Sequence, residues 1–292
     1  AVAPELCAMP TVQVPGYALG EQLTVLENLA FDPREARNDQ VFARQLAAMG
    51  TEYLLDDLRS LNDRTASIAS MPKAVSTALS DRVRDDLAEL DQLIETPIRP
   101  FVAVVGGTQV ARKLSLIRRL GPIVDELLVT GDVANTFLAA RGVDIRRTLI
   151  DASQVDTAKQ LGGVFENKLV LPTDFVWRLH RIMDIGPKTR ERFARSINQA
   201  ASVLLTGPAG VVSLQLEAFH HGTSALAAAL ETSQAVRRVV IGDDTVNLLA
   251  HEDRDEGVTV VDGDAVALDY LATGKLVAID AIQTSRFSSG GG

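Results

Sequence analysis

The stretch that decides the fold is FVAVVGGTQVARK, residues Phe101–Lys113. Five apolar residues run into a Gly-Gly turn, and apolar residues then recur at helical spacing from Val110 onward. A strand that ends in glycines and leads into a helix is a common way to hold a phosphate. The helix N-terminus offers unpaired N–H donors, and glycine lets the backbone come close. The stretch therefore predicts a strand–turn–helix unit with a candidate phosphate site at Gly106, Gly107 and Lys113.

Short apolar runs alternate with helical patterns from residue 99 onward. The expected strands are Phe101–Val105, Glu126–Val129, Leu169–Leu171, Val203–Leu205, Val239–Ile241 and Val258–Val261. The expected helices include Val133–Ala140, Thr157–Phe165, Thr189–Ala201 and Ser224–Glu231. This alternation predicts an α/β fold with a doubly wound parallel sheet, in which ligands bind at the carboxyl ends of the strands.

The N-terminal third of the chain carries a weaker pattern. One unit is expected there, made of strand Leu23–Glu27, helix Asp39–Met49 and strand Tyr53–Leu55. Apolar residues at helical spacing in Ser80–Glu95 predict an amphipathic connecting helix. We therefore expect a reduced N-terminal α/β lobe over 1–78, a connecting helix over 79–98, a larger lobe over 99–282, and a flexible tail over 283–292, where the sequence ends in SSGGG.

Composition limits the classes of partner and the cellular compartment to be expected for this chain. The chain has 292 residues, 46% of them hydrophobic, and a formal net charge of −9, which disfavours nucleic acid or an anionic membrane as the main partner. Cys7 is the single cysteine, so the sequence has neither a disulfide framework nor a cysteine metal cluster. No apolar run approaches the roughly 18 residues of a membrane-spanning helix. We expect a cytoplasmic protein.

Several segments follow one another in a characteristic order. They are LENLAFDPREARND (26–39), RPFVAVVGGTQVARK (99–113), LLVTGDVANTFL (127–138), LVLPTD (169–174), DIGPKT (184–189), TGPAGV (206–211) and GDDTV (242–246). In order and spacing the series resembles the glycolytic phosphoglycerate kinase family, and DIGPKT is matched letter for letter. The resemblance implies two α/β lobes. One binds 3-phosphoglycerate or its 1,3-bisphosphate and the other binds Mg-ATP or Mg-ADP, and transfer depends on positioning and on cations.

The resemblance also implies a nucleotide site in the larger lobe. Its expected members are Gly106, Gly107, Lys113, Gly131, Thr206, Pro208, Val211, Asp244 and Thr245, with Asp244 holding the Mg²⁺ of the nucleotide. Two departures weaken this site. Gln109 replaces the first of two phosphate-contacting lysines, and glutamine cannot neutralise charge in the transition state. Ser213 replaces a ribose-binding glutamate.

Three glycine-rich turns of the family carry an aspartate in this chain: Asp132, Asp243 and Asp264. We favour the interpretation that each caps a helix, which stabilises by about 1 kcal/mol. A carboxylate about 4 Å from a phosphate would instead cost about 4 kcal/mol at an effective dielectric near 20, unless Mg²⁺ bridges the two groups. With Asp244, these carboxylates would also suit a divalent cation.

Residues that the resemblance would place in the substrate site are replaced or missing. Ala30 replaces a substrate-binding arginine, because the family's LENLRF reads LENLAF. The family's HRAHAS reads NDRTAS, so Asp63 aligns with the arginine, and Arg64 could replace it only after a one-residue shift. Segments similar to VDFNVP and SHLGRP are not found in Ala1–Gly20. We expect a shortened lobe that has lost its substrate site.

Three functions agree with these residues. The first is an active kinase, and the second is a non-catalytic binding or scaffold module with residual nucleotide affinity. The third is a protein that binds another small ligand through its carboxylates and a divalent cation. Because Gln109, Ala30, Asp63 and Ser213 replace functional residues, we expect phosphoryl transfer between 1,3-bisphosphoglycerate and ADP to be lost or severely impaired. We assign no catalytic residue.

Overall fold

The computed structural model of the chain describes residues 5–9, 12, 14–19, 23–211, 219–242 and 257–288. These residues fall into two compact units, one drawn from residues 1–84 and 275–292 and the other from residues 85–274. Within the described ranges, every helix is too short or too polar to cross a bilayer.

The strands in chain order are β1 (Glu5–Met9), β2 (Val14–Leu19), β3 (Leu23–Leu26), β4 (Glu52–Leu55), β5 (Ser76–Leu79), β6 (Phe101–Val105), β7 (Glu126–Val129), β8 (Leu169–Val170), β9 (Phe175–Arg178), β10 (Arg181–Ile185), β11 (Ser202–Thr206), β12 (Arg237–Ile241) and β13 (Val258–Val261). The helices are α1 (Pro33–Ala36), α2 (Gln40–Ala47), α3 (Asp81–Glu95), α4 (Val110–Leu120), α5 (Gly131–Ala140), α6 (Val155–Val164), α7 (Pro187–Gln199), α8 (His221–Thr232), α9 (Asp264–Thr273) and α10 (Val277–Ser288).

The larger unit is built on a six-stranded parallel sheet in the order β13-β12-β11-β6-β7-β8. All five residues of β6 are buried, as expected of a strand covered on both faces. Val102 and Val104 face a core formed with Phe193 of α7 and Leu226 of α8, while α4 and α9 lie against β6 and β12 on the other face. The doubly wound α/β fold is therefore confirmed.

The strand order places a crevice beside β6. The chain passes from β6 to β7 and β8 on one side, then returns to the other side of β6 as β11, β12 and β13. Crevices at such a reversal, at the carboxyl ends of the strands, are where open α/β sheets bind ligands. The turns that follow β6, β7 and β11 all end at this place.

The smaller unit departs from the expected βαβ unit. Strand β3 pairs antiparallel with β2, Gly16 opposite Leu26, in a three-stranded sheet that also contains β1. Strand β4 pairs in parallel with β5 instead. The expected unit that joined β3 to β4 is therefore wrong. Only three residues separate β2 from β3, and such a short connection suits antiparallel pairing, whereas parallel strands need a long crossover.

The C-terminal segment also departs from expectation. Helix α9 ends at Thr273, and the φ of +70° at the following Gly274 lets the chain turn, so that α10 belongs to the smaller unit. The backbone N–H of Ala278 donates to the carbonyl of Leu61 at 2.9 Å, and Ala281 is buried. The flexible tail expected from residue 283 is wrong as far as Ser288, because the apolar face of α10 packs onto this unit. The other lobe boundaries stay predictions.

Candidate functional site

Three turns meet at the carboxyl ends of β6, β7 and β11 and are hydrogen-bonded to one another. Gly106 N–H donates to the carbonyl of Thr206 at 2.8 Å, and Gly107 N–H donates to that of Pro208 at 2.7 Å. On the other side, the N–H of Asp132 donates to the carbonyl of Gly107 at 3.1 Å. The two glycine N–H groups are therefore used inside the protein, and the Gly-Gly turn serves first to join its neighbours.

Glycine is required where these turns cross. A Cβ on Gly131, whose φ is +58°, would lie 2.6 Å from the backbone nitrogen of Gly107. A Cβ on Gly106 would lie 2.6 Å from the carbonyl oxygen of Pro208. Both distances are below normal contact, so any side chain would push the turns apart. The structure thus brings together five of the predicted site residues: Gly106, Gly107, Gly131, Thr206 and Pro208.

A cavity of about 190 Å³ lies beside the turns. Phe175, Ile182 and Met183 of the β9–β10 hairpin form part of its apolar lining, and Val211 also lines it. Sequence reasoning missed the hairpin residues, although short apolar runs, Phe175–Trp177 and Ile182–Met183, lie on either side of residues 178–181 and are a strand signal. An apolar cavity with a few polar groups is typical of a small-molecule site.

Asp132, Asn135 and Asp184 supply acid and amide groups in this cavity. Asp184 is 1% exposed and accepts hydrogen bonds from the backbone N–H groups of Gly222 at 2.7 Å and Ile185 at 2.8 Å. Burial raises the pKa of its carboxyl, and these two hydrogen bonds oppose that shift. Asp184 therefore braces β10 against the start of α8.

Lys113 lies beneath the crossing of the turns. Its side chain is on α4 and is 3% exposed, and its ammonium donates to the hydroxyl of Thr206, which is fully buried. Burial lowers the pKa of Lys113 to about 8, and the carboxylate of Asp264 acts in the opposite direction. A buried amine is costly to keep charged, so an anion bound here would relieve that cost.

The sequence model of phosphoglycerate kinase matches residues 7–275 of this chain. The chain belongs to the phosphoglycerate kinase family. The phosphoglycerate kinase of Solibacter usitatus is 34% identical over 96% of this chain and 75% of its own length. That of Moorella thermoacetica is also 34% identical, over 81% of this chain and 66% of its own length.

Solved structures agree with this assignment. The phosphoglycerate kinase of Coxiella burnetii aligns with a TM-score of 0.76 and 29% identity, covering 88% of this chain and 72% of that chain. The enzyme of Pyrococcus horikoshii aligns with a TM-score of 0.78 at 21% identity, which supports the fold alone. This chain spans about two-thirds to three-quarters of the length of these relatives.

Gln109 is the residue that the resemblance aligns with the first lysine of the phosphoglycerate kinase string. The residue precedes α4 with a φ of +54°, and its side-chain amide donates to the carboxylate of Asp264 at 3.2 Å. Its carbonyl oxygen accepts from Arg112 at 2.9 Å, and Arg112 also pairs with Asp269 at 2.8 Å. This side chain therefore links α4 to α9 and carries no charge.

The capping interpretation of the family's altered glycine turns is wrong for two of the three aspartates. Helices α5 and α9 are preceded by Thr130 and Gly263, and neither helix start has a side-chain cap hydrogen bond. Asp132 instead accepts from the amide of Asn135 at 3.4 Å, and Asp264 accepts from Gln109. Both carboxylates still lie in a first turn, where the helix dipole favours negative charge.

Part of the predicted nucleotide site lies outside the described residues: Ser213, Asp243, Asp244 and Thr245. Within the part of the chain that the structure describes, no three histidine, cysteine or acidic side chains come together to hold a metal ion.

The segment that the resemblance aligns with the family's substrate-binding string lies in the smaller unit, and Glu35 holds it by hydrogen bonds. Glu35 is 5% exposed and accepts from the backbone N–H of Ser67 at 3.1 Å and from its hydroxyl at 2.6 Å. Burial raises the pKa of Asp63, and the carboxylates of Asp57 and Glu35 raise it further. Arg64 is exposed. This segment therefore places negative charge where the family's arginine is expected.

Proposed function

We propose that this chain retains the purine-nucleotide cleft of its family and binds Mg-ADP or Mg-ATP, whereas phosphoryl transfer to or from 3-phosphoglycerate is severely impaired. The observation that carries the loss of transfer is the contact between Gln109 and Asp264, at 3.2 Å. It replaces a phosphate-binding cation by a neutral amide that is already engaged by a carboxylate.

Retained binding is supported by the cavity and by Lys113. The cavity is smaller than the roughly 300–1,000 Å³ of a site that encloses a whole drug-sized ligand, so it fits one end of a nucleotide. Its apolar hairpin walls suit the faces of a base. Lys113 is buried against Thr206, next to the turns that border the cavity, and a bound phosphate would restore favourable surroundings for its charge.

Impaired transfer follows from the charge of the transition state. Negative charge spreads over the equatorial oxygens of the phosphoryl group, and preorganised donors and cations must stabilise it. Removing one such donor typically costs about 10²–10³-fold in rate. Gln109 offers no positive charge, and the carboxylate of Asp264 adds a negative one beside it.

Residues of the smaller unit are the reason to expect that 3-phosphoglycerate binds weakly. Ala30 and Asp63 occupy positions where the family alignment expects arginines that bind the phosphorylated acid. An acidic side chain there repels a substrate with several negative charges. Arg64 is the remaining candidate cation of this segment, and its exposure makes its attraction weak because water and salt screen it.

Titration calorimetry with ADP, with and without Mg²⁺, tests the binding claim. Saturable ADP binding that Mg²⁺ strengthens is the expected result, and Lys113→Met should weaken it. Binding of Mg²⁺ alone would favour the divalent-cation alternative. Absence of ADP binding would contradict the proposal and favour a scaffold module. A coupled assay with 3-phosphoglycerate and ATP tests the transfer claim, and a rate at least about 10²-fold below ordinary kinases is expected.

We also propose a cytoplasmic location, which the single cysteine, Cys7, supports because the chain cannot form an internal disulfide. Fractionation of cells that express the tagged chain would test it, and recovery in a membrane or secreted fraction would contradict it.

A further inference from the structure

We propose that Asp132 makes the cavity select a base with two adjacent N–H donors, as guanine has, over adenine. The inference rests on the proposed function, because it assumes that the cavity takes the nucleoside end of a nucleotide. It goes further in naming the class of base and the residue that selects it. The family's turn has glycine at this position, so the resemblance itself implies no side chain there to read the base.

The backbone fixes Asp132 at the wall of the cavity. Its N–H donates to the carbonyl of Gly107 at 3.1 Å, and its carbonyl accepts from the hydroxyl of Thr136 at 2.8 Å. The preceding Gly131 has no room for a side chain against Gly107. The carboxylate is therefore carried on the first turn of α5, which is hydrogen-bonded to the turn after β6, and such fixed placement is a requirement for recognising one base edge and not another.

The carboxylate of Asp132 is poorly satisfied by the protein. It is partly buried and lines the cavity, and burial raises its pKa. In the described part of the chain it accepts one side-chain hydrogen bond, from the amide of Asn135 at 3.4 Å, which is a long contact. An ionised carboxylate has two oxygens and about four acceptor sites. Most of that capacity is unused and available to a ligand in the cavity.

Among the described residues, the cavity contains one other acid, Asp184, and it does not compete for this role. Asp184 already accepts from Gly222 and Ile185, so its carboxylate is engaged in the fold. Phe175 and Met183 offer apolar surface, which suits the faces of a flat ring but cannot distinguish base edges by hydrogen bonding. Of the two acids in this cavity, Asp132 is therefore the one with acceptor capacity left for a base edge, and Asn135 is hydrogen-bonded to it.

The chemistry of the two purines decides which one a carboxylate accepts. Guanine presents its N1–H and its 2-amino N–H side by side, so one carboxylate can accept both in a bidentate pair. Adenine presents the lone pair of N1 beside the 6-amino group, and that lone pair faces a carboxylate oxygen with repulsion. Hydrogen bonds to a charged group contribute enough to favour guanine on the order of tenfold to a hundredfold.

The test compares the affinities of GDP and ADP, each with Mg²⁺, by titration calorimetry. We expect the unaltered chain to bind GDP at least about tenfold more tightly than ADP. Asp132→Gly should bring the two affinities within about threefold of each other, because no carboxylate remains to accept hydrogen bonds from the base. Asp132→Asn should reverse the preference, since an amide offers one donor and one acceptor and so matches the edge of adenine.

A matched control is available in the same unit. Asp156 is an exposed acid in the first turn of α6 and does not line the cavity, so Asp156→Asn should leave both affinities unchanged. Equal affinities for GDP and ADP in the unaltered chain, unmoved by Asp132→Asn, would overturn the inference and leave the proposed function standing. Equal tightening of both nucleotides by Asp132→Gly would also overturn it, placing the carboxylate beside the phosphates. Binding of neither nucleotide would contradict the proposed function and the inference together.

Discussion

The side-chain amide of Gln109 donates a hydrogen bond to the carboxylate of Asp264, with 3.2 Å between nitrogen and oxygen. The contact joins the residue before α4 to the first residue of α9. Both positions differ from the family, in which the first is a lysine and the second lies in a glycine-rich turn. Under the proposed function, this pair places a neutral amide and a carboxylate where the family resemblance implies a cation and glycine.

Restoring the cation should restore part of the activity. Gln109→Lys is expected to raise the rate of phosphoryl transfer by about tenfold or more, because a cation stabilises the transition-state charge. The gain should be larger when Asp264→Gly is added, since Asp264 would otherwise pair with the new lysine. The rate is measured in a coupled assay with 3-phosphoglycerate and ATP.

Gln109→Met is the control for this change, because it removes the amide without adding charge. It should bring no increase in rate. If Gln109→Lys and Gln109→Met have the same rate in both backgrounds, the missing cation is not what limits transfer.

Lys113 should make the free energy of unfolding depend on pH. Its pKa in the folded chain is about 8, below the ordinary 10.5, so the unfolded chain binds more protons between these values. Stability from this residue therefore rises as pH increases from 8 to 10.5. The change amounts to about 3 kcal/mol, since one pKa unit corresponds to about 1.36 kcal/mol.

Lys113→Met removes this dependence on pH. Comparing the variant with the unaltered chain therefore separates the contribution of Lys113 from that of other titrating groups. Denaturant unfolding at a series of pH values measures the free energy of unfolding of both chains. The value for the variant minus that for the unaltered chain should be greatest at pH 7 and smaller at pH 10.5. A difference between the two chains that stays constant with pH would contradict the burial of a charged amine.

Nucleotide binding should take up protons through the same residue. A phosphate near Lys113 raises its pKa, so at pH 8.5 the bound complex holds more protons than the free chain. Calorimetry of ADP binding in buffers with different ionisation enthalpies measures this uptake. The uptake should vanish in Lys113→Met, and proton release in the unaltered chain would contradict the placement of phosphate near the amine.

Gly131→Ala should destabilise the larger unit more than Gly142→Ala does. Both glycines have a positive φ, +58° and +74°, so both changes cost about 1–2 kcal/mol of backbone strain. A Cβ at residue 131 would also lie 2.6 Å from the nitrogen of Gly107, whereas one at residue 142 meets nothing within 4 Å. Thermal and denaturant unfolding measure the difference, and equal losses would refute the tight crossing of the turns.

The sequence was sufficient to predict the parallel sheet, because its central strands β6 and β11 are buried along their whole length and β6 reads as a continuous apolar run. Phe101–Val105 and Glu126–Val129 have the bounds that were expected. The β9–β10 hairpin was missed because its strands are short and polar residues such as Arg178 and Arg181 interrupt the pattern. Its side chains in the cavity therefore could not be assigned.

The site was predicted less well than the fold, because the partners of its side chains depend on tertiary packing. The segment GGTQVARK predicts that Lys113 contacts a phosphate, but it does not reveal that the amine is buried against Thr206, a residue 93 positions away. Likewise, an aspartate in a first turn predicts a cap. Asp132 and Asp264 turn to Asn135 and Gln109 instead, and only the packing of neighbouring elements decides between these partners.

The rate of phosphoryl transfer tests the central claim most directly. The chain is supplied with saturating 3-phosphoglycerate and Mg-ATP, and ADP formation is followed by a coupled reaction. A turnover at least about 10²-fold below the roughly 1–100 s⁻¹ of ordinary kinases is the predicted result. A turnover within that ordinary range would contradict the account, because it would mean that Gln109 and Asp264 leave the phosphate site fully competent.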